Sequence, residues 1–255
     1  MSQTDDALQA KAEKLAKKFI ITDGHVDFPY RLYAEKFKLD DAHANIPVSS
    51  EKGNFDYERA KKGGLDAPFM VAFIPASYQD DLGKAKVFAD SLIDMVHWII
   101  DRHPDKFARG DSPSMIERNT KKDLISFPLA LENGAPVKTL EDVAYFYQRG
   151  IRYITLTHAK DNHICDSSYD TARTWNGLSP FGFEMVKEMN RVGMIIDVSH
   201  ISDSTFYQVM RTSIAPVLAT HSSCRKFTPG WERNMSDEMI VELAKHDGVI
   251  QINFG

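Results

Sequence analysis

Phe19-Ile20-Ile21-Thr22-Asp23-Gly24-His25-Val26-Asp27 is the stretch from which the rest of the chain is read. Three apolar residues in a row, Phe19, Ile20 and Ile21, predict a short buried strand. It ends at Asp23-Gly24, and two metal-competent side chains follow at His-x-Asp spacing. On an extended segment residues i and i+2 point the same way. His25 and Asp27 can therefore grip one ion from the end of a strand. Alone, the same residues also describe a strand and an ordinary polar turn, so the downstream pattern has to decide.

Downstream, the pattern repeats. Apolar runs at 67–74, 124–131, 153–156, 194–198, 217–220 and 249–253 predict strands. Helices are expected at 7–18, 55–62, 81–102, 140–149, 180–191, 202–211 and 236–246. The inner stripe of the helix at 81–102 is read as Val87, Leu92, Met95 and Ile99. Ser179 is the expected N-cap of the helix at 180–191, with Pro180 in its first turn. Residues 28–48 are read as irregular, with Pro29 and Pro47 as breakers.

Strands alternating with helices indicate a parallel sheet, and strands without in-out alternation suit a sheet covered on both faces. The expected fold is α/β, a (β/α)8 TIM-type barrel, with a doubly wound sheet as the alternative. His25, Asp27, Glu132, His158, His200 and His221 all fall at the C-terminal ends of different predicted strands. In a barrel those ends converge on one mouth, where active sites are built. His43, His97, His103, His163 and His246 lie in loops or helices and read as packing or surface residues.

The chain has 255 residues, 43% hydrophobic and 26% charged, with a net charge of -5. That is an ordinary globular profile, and its mild acidity argues against a nucleic-acid partner. Cys165 and Cys224 form no Cys-x-x-Cys pair and suggest no disulfide framework. No apolar run approaches the roughly 18 residues of a membrane span. The polar N-terminal segment has no apolar h-region, so as given it is not a secretory signal.

Buried charge is costly unless paired or bound to metal. Nitrogen and carboxylate ligands without thiolate suit Zn²⁺, with Mn²⁺, Fe²⁺ and Co²⁺ as alternatives. The strand-end set exceeds the usual three protein ligands of one catalytic zinc. Two metals sharing a bridging carboxylate fit better, and their chemistry is hydrolysis of an amide or ester.

Several segments carry a family likeness: Asp23-Gly24-His25-Val26-Asp27, Gly64-Leu65-Asp66-Ala67-Pro68-Phe69 and Leu131-Glu132-Asn133-Gly134. Others are Arg152-Tyr153-Ile154-Thr155-Leu156-Thr157-His158 and Gly177-Leu178-Ser179-Pro180-Phe181-Gly182. Last come Gly193-Met194-Ile195-Ile196-Asp197-Val198-Ser199-His200, Thr220-His221-Ser222-Ser223 and Arg233-Asn234-Met235. With these pieces in order, the chain resembles the membrane dipeptidase (renal dipeptidase) family of metallopeptidases.

The resemblance implies a zinc-dependent dipeptidase in which a hydroxide bridging two metals attacks the peptide bond, including bonds to a C-terminal D-residue. His25 and Asp27 would ligate one zinc, His200 and His221 the other, and Glu132 would bridge both. His158 would bind the substrate and the oxyanion of the tetrahedral intermediate. Arg233, with Asn234 beside it, would bind the substrate carboxylate, a task suited to the guanidinium fork. Alternatives are a related amidohydrolase acting on another small amide or lactam, and a truncated, non-catalytic metal-binding member.

The expected partners are a dipeptide and, in a homodimer, a second copy of the chain. Location follows the start: cytoplasmic if Met1 is native, periplasmic or secreted if a leader was removed. Family members continue past the segment matching 249–255 into an eighth strand with an Asp-Phe-Asp-Gly-like motif, whose first aspartate is assigned to proton transfer. This sequence lacks that motif. The expectation is a single barrel domain over 1–255 that stops before its eighth strand, with slowed turnover. His158 and Asp197 are then the first groups to examine for moving the proton.

Overall fold

The computed structural model describes residues 3–253. Its first elements are α1 (Gln3–Ala16), β1 (Ile21–Val26), α2 (Phe28–Ala34), α3 (Tyr57–Gly63), β2 (Leu65–Phe73) and α4 (Leu82–Arg102). Then come β3 (Phe107–Arg109), α5 (Pro113–Thr120), β4 (Ile125–Phe127), β5 (Leu129–Glu132), α6 (Glu141–Gln148) and β6 (Ile151–Thr155). The last are α7 (Pro180–Val192), β7 (Ile195–Asp197), α8 (Asp203–Thr212), β8 (Leu218–Ser222), α9 (Asp237–Lys245) and β9 (Val249–Ile252).

Seven strands form one parallel sheet in the order β1-β2-β5-β6-β7-β8-β9, and β3 and β4 pair separately. The order follows the sequence without reversal. A doubly wound sheet reverses at a switch point, so that alternative is excluded and the order is that of a (β/α) barrel. Two compact units divide the chain: residues 1–71 with 92–129, and residues 72–91 with 130–255. Phe254 and Gly255, where the expected truncation falls, lie outside the described residues.

In the first unit β1 runs parallel to β2, with Ile21 opposite Leu65 and Val26 opposite Met70. The Ile21 N–H donates to Asp66 Oδ2 at 2.9 Å, which fixes where the strand begins. Phe19 and Ile20 are not the buried strand expected: they are 56% and 41% exposed. The Phe19 N–H bonds back to the Leu15 carbonyl, so the end of α1 claims this residue before the strand starts. Pro29 does not break the chain either. It sits in the first turn of α2, where a missing N–H costs nothing.

The expected strand at 124–131 is two strands. Gly110 N–H donates to the Phe127 carbonyl on the β3 side, while the next carbonyl, Pro128, accepts from Met70 on β2. The run changes partner at the proline, which has no N–H to offer a ladder. The β3–β4 pair and α5 were not expected from the sequence. Phe107 of β3 and Phe127 of β4 stack on each other at 4.6 Å between ring centroids. On α4, Val87 is 72% exposed, against its expected inward position, whereas Leu92, Met95 and Ile99 are buried.

The second unit is more regular. β6 and β7 pair in register, Tyr153 with Ile195 and Thr155 with Asp197, and β8 pairs β9 from Leu218–Val249 onward. α7, α8 and α9 start on serine caps. Ser179, Ser202 and Ser236 accept from the N–H groups of Gly182, Thr205 and Met239 at 2.9, 3.2 and 3.3 Å. Each cap satisfies a donor the helix cannot satisfy internally. Gly193 ends α7 in the left-handed conformation, φ 84°, a position that suits a residue without Cβ. Among the described residues no helix is long and apolar enough to cross a membrane.

Candidate metal centre

In the first unit, His25 lies on β1 and Asp27 directly after it, with His25 Nε2 3.5 Å from Asp27 Oδ1. The Asp23 carboxylate accepts from the His25 N–H at 2.9 Å and holds the turn of the chain there. Asp27 stands at the N-cap of α2, yet its carboxylate makes no capping bond. Both side chains border a cleft of about 390 Å³, shared with Asp23, Phe28, Arg31 and Phe55. The i, i+2 relationship read from the sequence is thus present as a close pair.

In the second unit, Glu132 is the last residue of β5 and is 2% exposed. β5 is buried along its whole length, so the carboxylate is carried into the interior by its own strand. His158 follows the end of β6 by three residues, His200 follows the end of β7 by three, and His221 lies within β8. His200 holds a positive φ of 70°, a conformation uncommon outside glycine and found disproportionately at functional turns. Its carbonyl accepts from the Ser168 N–H at 2.7 Å, which helps hold that turn.

These residues converge on one oxygen. His200 Nε2 and His221 Nε2 lie 3.1 and 3.2 Å from Glu132 Oε1, and His158 Nε2 lies 3.9 Å away. The potential ligand atoms of Glu132, His158 and His200 all fall within 4.8 Å of one another. Burial pushes the His200 imidazole down to about 3, against the pull of Glu132, with Arg233 and His221 lowering it further. The ring is therefore neutral near pH 7, the form that binds metal. A buried carboxylate ringed by imidazoles, one of them held neutral, is a donor set suited to zinc. On this ground the residues fit a divalent ion.

Arg233 is 7% exposed and reaches this cluster from the loop after β8. Nη1 donates to Ser222 Oγ at 2.8 Å, and Nη2 donates to the His221 carbonyl and lies 3.2 Å from His200 Nε2. Burial lowers its pKa, while Tyr169, Asp197 and Glu132 raise it. Asn234 is occupied at both ends of its amide. Its Oδ1 accepts from the Ser223 N–H at 3.0 Å and its Nδ2 donates to Thr228 Oγ1 at 2.8 Å.

Other histidines bond to neighbouring protein groups. His163 Nε2 bonds the Val137 carbonyl at 2.8 Å, His103 Nε2 bonds that of Ala44 at 2.7 Å, and His43 pairs with Asp40. Cys165 is buried, and burial raises its thiol well above the ordinary range.

The sequence reading took Asp197 as a group to examine for proton transfer; the structure places it behind the histidines instead. Asp197 is fully buried, and its carboxylate accepts four bonds: from Thr155 Oγ1 at 2.5 Å, Thr220 Oγ1 at 2.8 Å, Thr220 N–H at 3.0 Å and Ser199 N–H at 3.1 Å. Burial pushes this carboxyl up, but His221, Thr155 and the two N–H groups outweigh it and hold it below the ordinary value. With both oxygens engaged, Asp197 is badly placed to shuttle a proton. An aspartate inside the apolar run Ile195-Ile196-Asp197-Val198 was the available signal.

Comparison with known proteins identifies the family. The family model for membrane dipeptidase (peptidase family M19) matches residues 9–255. The chain is 32% identical to dipeptidase verJ of Clonostachys rogersoniana, over 100% of this chain and 67% of that protein. It is 30% identical to an uncharacterized dipeptidase of Schizosaccharomyces pombe, over 96% of this chain and 62% of that protein. The chain therefore spans a little under two thirds of the length of that yeast relative. Among solved structures, the probable dipeptidase PvdM of Pseudomonas aeruginosa superposes with a TM-score of 0.85 at 23% identity, over 97% of this chain and 63% of that one. A metallo peptidase of Rhodobacter sphaeroides, liganded with a phosphinate mimic of the dipeptide L-Ala-D-Ala, gives 0.81 at 21% identity, over 92% and 74%. The sequence match over nearly the whole chain is decisive: the protein belongs to the membrane dipeptidase family, peptidase family M19.

Proposed function

We propose that this protein is a zinc-dependent dipeptidase that hydrolyses the peptide bond of dipeptides, including those with a C-terminal D-residue. The observation that carries the reading is the buried Glu132 carboxylate, with the Nε2 atoms of His200 and His221 at 3.1 and 3.2 Å from one oxygen. Membership of a dipeptidase family supports the substrate class. The dipeptide mimic bound by the Rhodobacter sphaeroides relative supports the D-residue.

His25 and Asp27 would hold one ion, His200 and His221 a second, and Glu132 would serve both. Such ions supply the Lewis acidity that ionises water near neutral pH and polarises a carbonyl. The remaining residues bind and orient. His158 packs its ring edge-on against Phe73, 4.7 Å between centroids, and offers Nε2 beside Glu132 to the oxygen that gains charge. Arg233 presents a charged fork to the free carboxylate of the substrate, which restricts the site to short peptides. Asn234 keeps the loop that presents Arg233 in shape through its bonds to Ser223 and Thr228.

A substrate panel on the zinc-loaded protein tests this reading: L-Ala-D-Ala, L-Ala-L-Ala, their C-terminal amides, and a small lactam. Hydrolysis of the two free dipeptides, with the amides much slower, is the expected result. Cleavage of the lactam alone would move the protein to a different amidohydrolase activity. Bound zinc with no turnover of any of them would leave a metal-binding protein without this activity.

A further inference from the structure

Asp197 and Thr220 stand behind His221, on the side of the ring away from Glu132. Thr220 Oγ1 lies 2.8 Å from Asp197 Oδ2 and 2.9 Å from His221 Nδ1. Thr220 has one hydroxyl proton to serve two neighbours. Asp197 can only accept, because each of its oxygens already receives another donor: Ser199 and Thr220 N–H on Oδ1, Thr155 hydroxyl on Oδ2. The Thr220 proton therefore points to Asp197, and the Thr220 oxygen is left as an acceptor. The 2.9 Å contact to Nδ1 must then be filled by a proton on the ring. A neutral imidazole carries only one N–H.

We propose that Asp197, acting through Thr220, is a positioning residue that fixes His221 as the Nδ1–H tautomer, with a bare Nε2 aimed at the cluster. That Nε2 is the atom 3.2 Å from Glu132 Oε1. The device sets the ligand before any metal arrives. It also adds the partial charge of a buried carboxylate behind the ring, which raises the basicity of the ligand. The backbone of His221 is held as well, its N–H by Ser199 Oγ at 3.2 Å and its carbonyl by Arg233. His200 differs, since its buried Nδ1 has no hydrogen-bond partner. With His221 Nε2 bare, the proton that separates the two Nε2 atoms, 2.7 Å apart, belongs to His200 in the metal-free protein.

Two-bond ¹H–¹⁵N spectra of the metal-free protein read the tautomer directly. His221 is expected in the Nδ1–H form. Thr220→Val, which keeps the shape and removes the hydroxyl, should lose that preference, and Thr220→Ser should retain it. Zinc affinity, measured by competition with a chelator, should fall about 10–100-fold in Thr220→Val and stay near the parent value in Thr220→Ser. An Nε2–H His221 in the parent protein overturns the proposal, as does a Thr220→Val protein with unchanged zinc affinity. The proposal rests on the zinc reading only for its affinity arm. If the parent bound no zinc, that reading would fail while the spectrum still decided the tautomer. If Thr220→Val does not fold, the parent spectrum and Thr220→Ser decide.

Discussion

The Nε2 atoms of His200 and His221 lie 2.7 Å apart. Two bare lone pairs do not tolerate that separation, so without a metal a proton on one ring must lie between them. With His200 held neutral by burial, the two rings would serve as ligands of one cation. Replacing either histidine with alanine is expected to weaken zinc binding by more than the roughly 10–100-fold typical of losing an outer partner. Because the two would share one ion, the double variant should lose less than the sum of the single losses. Chelator competition on the three variants checks both points. Parent-like affinity in either single variant would remove that histidine from the site.

Arg233→Lys should lower kcat/KM for free dipeptides, chiefly through a raised KM, because an ammonium cannot reproduce the bidentate fork. The same variant should change little on C-terminally amidated dipeptides, which lack the charge Arg233 would meet. A parent protein that cleaves amides as well as acids would take the carboxylate role away from Arg233.

His163 offers a pH signature away from the metal cluster. Burial lowers its pKa, only partly offset by the bond to the Val137 carbonyl. A histidine with a lower pKa in the folded state takes its proton first in the unfolded chain. Its contribution is whole above the unfolded value near 6.5 and is lost as pH falls from there toward the folded value. His163→Gln removes the titrating ring. It should therefore flatten the fall of stability below about pH 6.5, by no more than about 1.4 kcal/mol per pH unit. Urea unfolding of parent and variant between pH 7.5 and about 4.5 measures the difference, and parallel curves would contradict it.

Gly182 sits in the first turn of α7, against the loop carrying Ile164. A Cβ there would lie 2.1 Å from the Ile164 carbonyl oxygen, a backbone atom that cannot swing aside. Gly182→Ala is expected to destabilise the protein by about 1–3 kcal/mol, as overpacking does. Thermal unfolding checks it, and an unchanged midpoint would show that the turn can open at no cost.

The fold was legible in the sequence because α/β alternation leaves a strong pattern: apolar runs of strand length separated by helices with serine caps and glycine stops. It failed where local pattern and tertiary demand disagree. Phe19 and Ile20 look like a strand start, but α1 extends its last turn over Phe19. The run at 124–131 reads as one strand, and only the change of partner at Pro128 divides it. Val87 fits the periodicity of α4 and still faces solvent. Histidines and carboxylates at strand ends announce themselves by chemistry and position. Thr155 and Thr220 do not, because a strand threonine is ordinary until the structure shows both hydroxyls on the buried Asp197.

Metal content of the zinc-reconstituted protein, by elemental analysis on a folded, monodisperse sample, is the most direct test of the central claim. Two zinc ions per chain are expected, with Glu132→Gln lowering occupancy of both sites because one carboxylate would serve both ions. A stoichiometry that stays at one or below in the folded parent protein would contradict the account.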